Sequence, residues 1–422
     1  MRPGPTAADR FWADAWAELR PRLDSLGISR VGSTTHLDRV GVPTATAVRP
    51  WTSDVIWVYS GKGLTRDEAF AKAVLEAAER SCSLWPDEPS SLLHAAPAEL
   101  GHRLHMDPRA STMLLHAGVT VEHRSFWVEG RVLGSDAPVL VPAELAFGGN
   151  PPAWATESLL YRAGSSNGLG AAFDVGTAVR HALREVMERD VLGSCELAAS
   201  HADMTRIAGV LSRLGIDPTA TLENFRDRTD VAQDLDIHSL PRVARDLVDR
   251  FAAAGVAVRL KVLPHDFGLT CVVAAAQEGV GYDSVLAASG SALHEDPGAA
   301  VVGALLELAQ TRATDLQGAR EDRHEPEKMR KPRYLDAHWL LAGSASTIRF
   351  DDLVETGPCS LDDLAGFARQ GGLRDVFVVE FPAPARLSVV RTVVPEAQMW
   401  HTTAGRARAA RRPSLVAGGS PS

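Results

Sequence analysis

Apolar positions between Phe11 and Leu26 recur at helical spacing and stop at Gly27, which predicts an N-terminal helix. From Gly27 to Pro50 short β-type runs alternate with turn residues, and Pro43 and Pro50 exclude a helix there. Ser53 to Ser60, SDVIWVYS, reads as a buried strand that leads through a Gly61-Lys62-Gly63 turn into a helix. Thr65 and Glu68 have capping-box spacing, so that helix should begin near Thr65. Further strands are predicted around Gly130 and Gly134 within Thr120 to Leu140. Others follow at Val256 to Leu263, Leu269 to Ala275, Ser284 to Leu293, Val376 to Phe381 and Leu387 to Val394. Asp174 or Thr177 can cap a second helix, Pro241 to Ala254 patterns as another, and Asp296-Pro297 opens one that runs to about Leu316. Pro86 to Glu99, Phe147 to Pro152 and the loop Gly164 to Ala171 (GSSNGLGA) are irregular, and Glu196 to Leu240 reads as a helix–loop–helix insertion. Strands and helices interleave without a regular βαβ rhythm, which predicts an α+β fold.

Three of these helices share one pattern. Ala69, Ala73, Glu76 and Glu79 have the spacing of Ala178, Ala182, Glu185 and Glu188, and Ala300, Ala304, Glu307 and Gln310 repeat it with Gln last. Steps of three and four residues lie on one helical face, so each copy offers small residues for close approach and then two oxygen-bearing side chains. The copies stand roughly 110–120 residues apart, too far for a solenoid, whose periods run about 20–50. A lone Glu–Arg pair on a helix is ordinarily a solvated surface feature. Surface pairs need no common spacing, however, so the repetition points to carboxylates that converge. Gathered carboxylates suit a hard cation such as Mg²⁺, which commonly arrives with phosphates. The Gly164–Ala171 loop before the second helix suits phosphate or ribose contacts. Gly61-Lys62-Gly63 lacks P-loop spacing, and Lys62 reads as a solvated turn lysine. His181, four before Glu185, reads as a packed, hydrogen-bonded helix residue.

The 422 residues are 45% hydrophobic and 23% charged, enough for two or three domain units or one large intertwined one. A net charge of −9 argues against a nucleic-acid binder. The N-terminus has no signal-peptide pattern, no run approaches a bilayer span, and Cys82, Cys195, Cys271 and Cys359 are scattered singly. These features lead us to expect a soluble cytoplasmic protein without nucleic-acid or membrane partners. The charge block Gly318 to Arg333 and the tail after Ala404 read as solvated and disordered segments, with Arg320 the basic residue nearest the third helix.

Several pieces in order resemble the YcaO family: GISRV and LDRVGVP (Gly27 to Val31, Leu37 to Pro43), SGKGLT before AVLEAAER, SSNGL before REVMERD, and LLELAQTR with the following GARED. The resemblance covers roughly residues 25 to 400 and divides the chain into an N-terminal helix at 1–26, a catalytic domain at 27–400 and a tail at 401–422. It implies a YcaO-like fold and an ATP- and Mg²⁺-dependent enzyme acting on backbone amides of a ribosomally made precursor peptide. A nucleophile adds to the amide carbonyl, ATP phosphorylates the oxygen, and phosphate leaves, giving an azoline, a thioamide or an amidine. Position by position, it implies Mg²⁺ on Glu76, Glu79, Glu185 and Glu188. Ser166, Asn167, Glu307, Gln310, Arg312 and Arg320 would complete the nucleotide or phosphate site. It names no catalytic residue.

Two departures shape the expectation. Lys72 stands where family members commonly carry Ser, which either adds a positive charge near phosphate or marks a drifted site. The C-terminus RRPSLVAGGSPS lacks the proline-rich end of many azoline formers. Together they favour a stand-alone member, or one working with a TfuA-like or leader-binding partner, and they leave a homodimer open. The rival readings are a peptide- or partner-binding scaffold without turnover, and a divalent-metal hydrolase.

Overall fold

The computed structural model describes residues 6–113, 115–116, 119–161, 165–213, 231–279, 285–319, 338–341, 343–398 and 415–416. Among these residues, three sheets are held together by the three repeat helices. The first sheet has the order β1 (Arg30–Ser33), β2 (Thr44–Val48), β3 (Val58–Lys62), all antiparallel. The second, larger sheet contains β4 (Leu93–Ala95), β5 (His105–Met106), β6 (Ser125–Val132), β7 (Pro138–Pro142) and β8 (Leu169–Ala172). The third contains β9 (Gln233–Leu235), β10 (Ala257–Val262), β11 (Thr270–Gly279), β12 (Val285–His294) and β13 (Thr347–Ile348). The chain then returns to the second sheet with β14 (Phe377–Phe381), β15 (Ser388–Val393) and β16 (Leu415–Val416), placing β15 between β14 and β8. Mixed pairing, with parallel contacts at β5–β7 and β9–β13, accords with the expected α+β class.

The longer helices are α1 (Ala7–Leu19), α2 (Arg66–Cys82), α3 (Val175–Arg213), α4 (Arg242–Ala253), α5 (Pro297–Gln317) and α6 (Leu361–Gln370). Helix α2 packs on β3 and β2 and also against β8 of the second sheet. Helix α3 packs on β8 and β15 and reaches β12 of the third, and α5 packs on β12 and β11 and reaches β3 of the first. Each repeat helix therefore bridges its own sheet to the next, closing a ring.

The alanines of the repeat make this possible. Ala73, Ala178, Ala182, Ala300 and Ala304 are fully buried and Ala69 nearly so. Opposite each pair lies a strand glycine with no room for a side chain. A Cβ on Gly61 would stand 2.0 Å from the Ala69 carbonyl oxygen and 2.4 Å from the Ala73 nitrogen. One on Gly170 would stand 2.5 Å from the Ala178 oxygen, and one on Gly290 2.6 Å from the Ala304 oxygen. Strand backbone thus touches helix backbone, and the oxygen-bearing side chains a turn further on project past the strand.

Several predicted boundaries shift. Helix α1 starts earlier, at a Thr6–Asp9 capping box, and ends at Leu19; two 3₁₀ turns continue to Leu26, where Gly27 takes a left-handed conformation. Ser53 to Trp57 is not strand, because Asp54 turns inward to bind Arg80 and Tyr59, and β3 begins at Val58. Gly61 and Lys62 lie within β3 rather than in a turn, as the close approach of α2 demands. Leu169 to Ala171, expected as loop, belong to β8. Thr65 does cap α2, its side chain accepting from the Glu68 amide, and Asp174 and Asp296 bond to backbone amides in the first turns of α3 and α5. Of the Glu196–Leu240 insertion, residues 196–213 continue α3 and 214–230 lie outside the described residues. So do the expected charge block from Arg320 onward and most of the 401–422 tail, within which Leu415–Val416 pair with β5. Among the described residues no helix is long and apolar enough to cross a membrane.

Candidate functional site

At the centre of the ring, glutamates from α2 and α3 meet Glu307 and Gln310 of α5, and four of these side chains are held by strands. Glu76 accepts the Ser60 amide at 3.0 Å. Glu79 accepts the Ala171 amide of β8 at 2.9 Å, and Glu188 accepts the Ser291 hydroxyl of β12 at 2.5 Å. Gln310 donates to the Ser60 carbonyl of β3 at 3.5 Å. The last residue of each repeat therefore bonds to the strand of the next unit. Glu307 is bound instead by cations, Lys62 at 3.0 Å and Arg189 at 3.5 Å.

The electrostatics separate these acids into two groups. Burial pushes Glu79 well above the usual carboxylate range, reinforced by Glu185 and Glu76. Burial likewise raises Glu185 to about 7, with Arg189 opposing and Glu188 adding to the rise, and it raises Glu188. Glu307 feels the same burial, yet Lys62 and Arg189 hold it below its ordinary value. Glu79, Glu185 and Glu188 thus resist ionisation, chiefly because burial strips water from them, and a bound cation would favour their charged forms.

This donor set fits Mg²⁺ joined to phosphate. Among the described residues no three His, Cys, Asp or Glu side chains gather closely enough to hold an ion unaided. Mg²⁺ ordinarily takes one or two carboxylates and completes its shell with water and phosphate oxygens. Bound there, it would neutralise the crowded carboxylates and the charge of transferring phosphate.

The raised pKa values give a signed pH dependence. Glu185 keeps its proton in the folded state between its ordinary 4.5 and about 7, where the unfolded chain has already lost it. The unfolded state then binds fewer protons, and stability falls as pH rises through that window. The melting temperature of nucleotide-free protein should decline from about pH 4.5 to about pH 7, and the gain on adding Mg²⁺ and ATP should grow over the same range. A scan in which both stay flat would show that the carboxylates are not crowded.

The other expected residues are placed unevenly. Ser166 is exposed, and Asn167 stands beside it with a buried Oδ1 that has no hydrogen-bond partner. Arg312 turns away from the carboxylates: 1% exposed, it is bonded to Asp38 at 2.8 and 3.1 Å and to Glu278 at 2.9 Å, tying α5 to the first and third sheets. Arg320 lies outside the described residues. Lys72 forms a 2.6 Å ion pair with Glu68 and lies 5.0 Å from the centre of the Trp12 ring.

Two readings are corrected. Lys62 is no solvated turn lysine, because its place in β3 aims it at Glu307. His181 makes no hydrogen bond among the described residues. It is open to solvent but crowded by protein, and desolvation with Lys72, Lys62 and Arg184 lowers it to about 4, so it is neutral. Arg189, Ser60, Ser291 and Arg391 were missed. The first follows a repeat glutamate in REVMER and looked like a surface partner; the others carry no local signal, since only folding brings their strands to the helices.

The family described as YcaO cyclodehydratase, ATP- and Mg²⁺-binding, matches residues 60–398. An uncharacterised protein of Methanothermobacter thermautotrophicus is 32% identical over 386 residues, covering 89% of this chain and 90% of that one. An uncharacterised protein from the tfuA 3′ region of Rhizobium leguminosarum bv. trifolii is 28% identical, covering 91% and 86%. In fold, the chain resembles YcaO from Methanopyrus kandleri bound with AMPPCP and Mg²⁺, with a TM-score of 0.67, 22% identity and coverage of 95% and 94%. With crowded carboxylates on three interlocked helices and a family match over most of its length, the chain belongs to the YcaO family, which binds ATP and Mg²⁺.

Proposed function

We propose that this chain spends ATP to activate a backbone amide of a ribosomally made peptide, phosphorylating the amide oxygen so that it leaves as phosphate. The attacking nucleophile decides the product: an azoline from a Cys, Ser or Thr side chain, a thioamide from sulfide, or an amidine from an amine. The observation that carries the reading is the excess of buried carboxylate at Glu79, Glu185 and Glu188. In this reading Glu76, Glu79, Glu185 and Glu188 hold Mg²⁺ and Ser166, Asn167 and Gln310 contact the nucleotide. Lys62 and Arg189 keep Glu307 charged in place. Arg312 acts at a distance, holding α5 against its neighbours. Phosphoryl transfer needs positioning and charge neutralisation above all, which suits a site without a nucleophilic triad. Residues 27–400 form the catalytic unit. The relative from a tfuA region supports a TfuA-like protein as partner.

The test supplies purified protein, ATP, Mg²⁺ and a candidate precursor peptide whose amide oxygens carry ¹⁸O. Label appearing in inorganic phosphate, with a matching mass change in the peptide, is the expected result. Peptide cleavage without ATP would favour the hydrolase instead. Tight peptide binding without phosphate release, in the presence of any partner protein, would favour the scaffold.

A further inference from the structure

Arg391 on β15 has no assigned role and is the least satisfied charged group in the described structure. It is 5% exposed, and its Nη2 donates to the Ser165 carbonyl at 2.5 Å, but Nε and Nη1 have no partner. One neighbour shares the defect: Asn167 Oδ1 is buried and unpaired. Both residues line one cavity of about 40 Å³, together with Ser111, Thr112 and Val186. A single water needs roughly 10–15 Å³ of such space, so the cavity has room for more than one.

The cavity is built closely. Gly168, with φ +84°, passes between β15 and α3 where a Cβ would stand 2.3 Å from the Thr392 carbonyl oxygen and 2.9 Å from Val186 Cγ2. That passage brings Asn167 beside Arg391. The charged groups whose fields reach the guanidinium are Glu185, which favours its charge, and Arg80, which opposes it and is already paired with Asp54.

We propose that Arg391 and Asn167 form an inner oxyanion site, beside the ring of glutamates, that takes a phosphate group. A guanidinium with two free donor positions matches the paired oxygens of phosphate. The Asn167 amide, turned over, presents N–H in place of its unpaired oxygen. The phosphate is either the terminal group of bound nucleotide or the free ion left after the reaction. The inference rests on the proposed function only for that source.

The full chain would be titrated with inorganic phosphate alone, in calorimetry, without nucleotide or metal. Wild type should bind, Arg391→Met should weaken binding at least about tenfold, and Arg391→Lys should recover part of it. A residue that merely packed would treat Met and Lys alike. Asn167→Ala, which removes the side-chain amide, should weaken binding roughly threefold and stands in should Arg391→Met fail to fold. Repeating the wild-type titration with saturating AMPPCP and Mg²⁺ separates the sources: displaced phosphate assigns the site to the terminal nucleotide phosphate, retained phosphate to the free ion. If folded variants bind phosphate as wild type does, or wild type binds none, the inference is overturned. Phosphate binding that depends on Arg391, in a protein that ignores nucleotide, would sink the proposed function and leave this site standing.

Discussion

Glu79→Gln is expected to raise the melting temperature of the nucleotide-free protein while removing turnover, and Glu185→Gln to do the same. Both acids are pushed upward by burial, and Glu185 reaches about 7 from an ordinary 4.5. At about 1.36 kcal/mol per pKa unit, keeping Glu185 ionised at pH 8 costs folding up to about 3 kcal/mol. Gln has the same shape, and its amide oxygen can still accept from the Ala171 amide, so position 79 loses repulsion without losing its anchor. The same charge is what a bound cation would need. Removing it should lower kcat about 10²–10³-fold, the scale for deleting a charge-stabilising group at a transition state. It should also erase the thermal shift with Mg²⁺ and ATP. Unfolding curves with and without both, beside turnover on a modified peptide, decide the matter. A variant that melts lower without ligand yet keeps the wild-type shift would remove these carboxylates from the metal site.

Gly61→Ala should prevent folding or cost more than about 3 kcal/mol, the upper end for overpacking a core. The added Cβ would meet the Ala69 carbonyl oxygen at 2.0 Å and the Ala73 nitrogen at 2.4 Å, both backbone atoms of α2. Neither can swing aside as a side chain would. If the strand and α2 part to make room, Ser60 moves away from Glu76, so a variant that does fold should lose the response to Mg²⁺ and ATP first. Gly41→Ala is the control. Its φ of +69° carries backbone strain, but nothing lies within 4 Å, so about 1 kcal/mol is expected. Chemical denaturation of both variants gives the comparison, and equal losses would show that helix approach adds nothing at Gly61.

The family, the α+β class and the repeated glutamates were legible because each leaves a local trace. Thr65, Asp174 and Asp296 mark helix starts through short-range hydrogen bonds to neighbouring amides, which need no tertiary partner. Gly61 shows the limit. Flanked by Lys62 and Gly63, it reads as a turn, since glycine is common in turns; here it lies in a strand because a helix covers it. Lys62 and Arg312 show the same limit for charge. One read as solvent-facing and the other as a phosphate contact, and which acid each meets depends on elements far along the chain: Glu307 for Lys62, Asp38 and Glu278 for Arg312.

By itself, then, the sequence determined that three helices would present small residues and then oxygen-bearing ones on a single face, because that periodicity belongs to the α-helix. Only the tertiary structure decided that Ala171, Ser291 and Ser60 anchor the side chains arriving from neighbouring units. Only it left Arg391 buried with donors to spare beside Asn167. The reason is physical: spacing along a chain sets direction within one element, whereas charge balance and hydrogen-bond satisfaction depend on which elements come to rest against it.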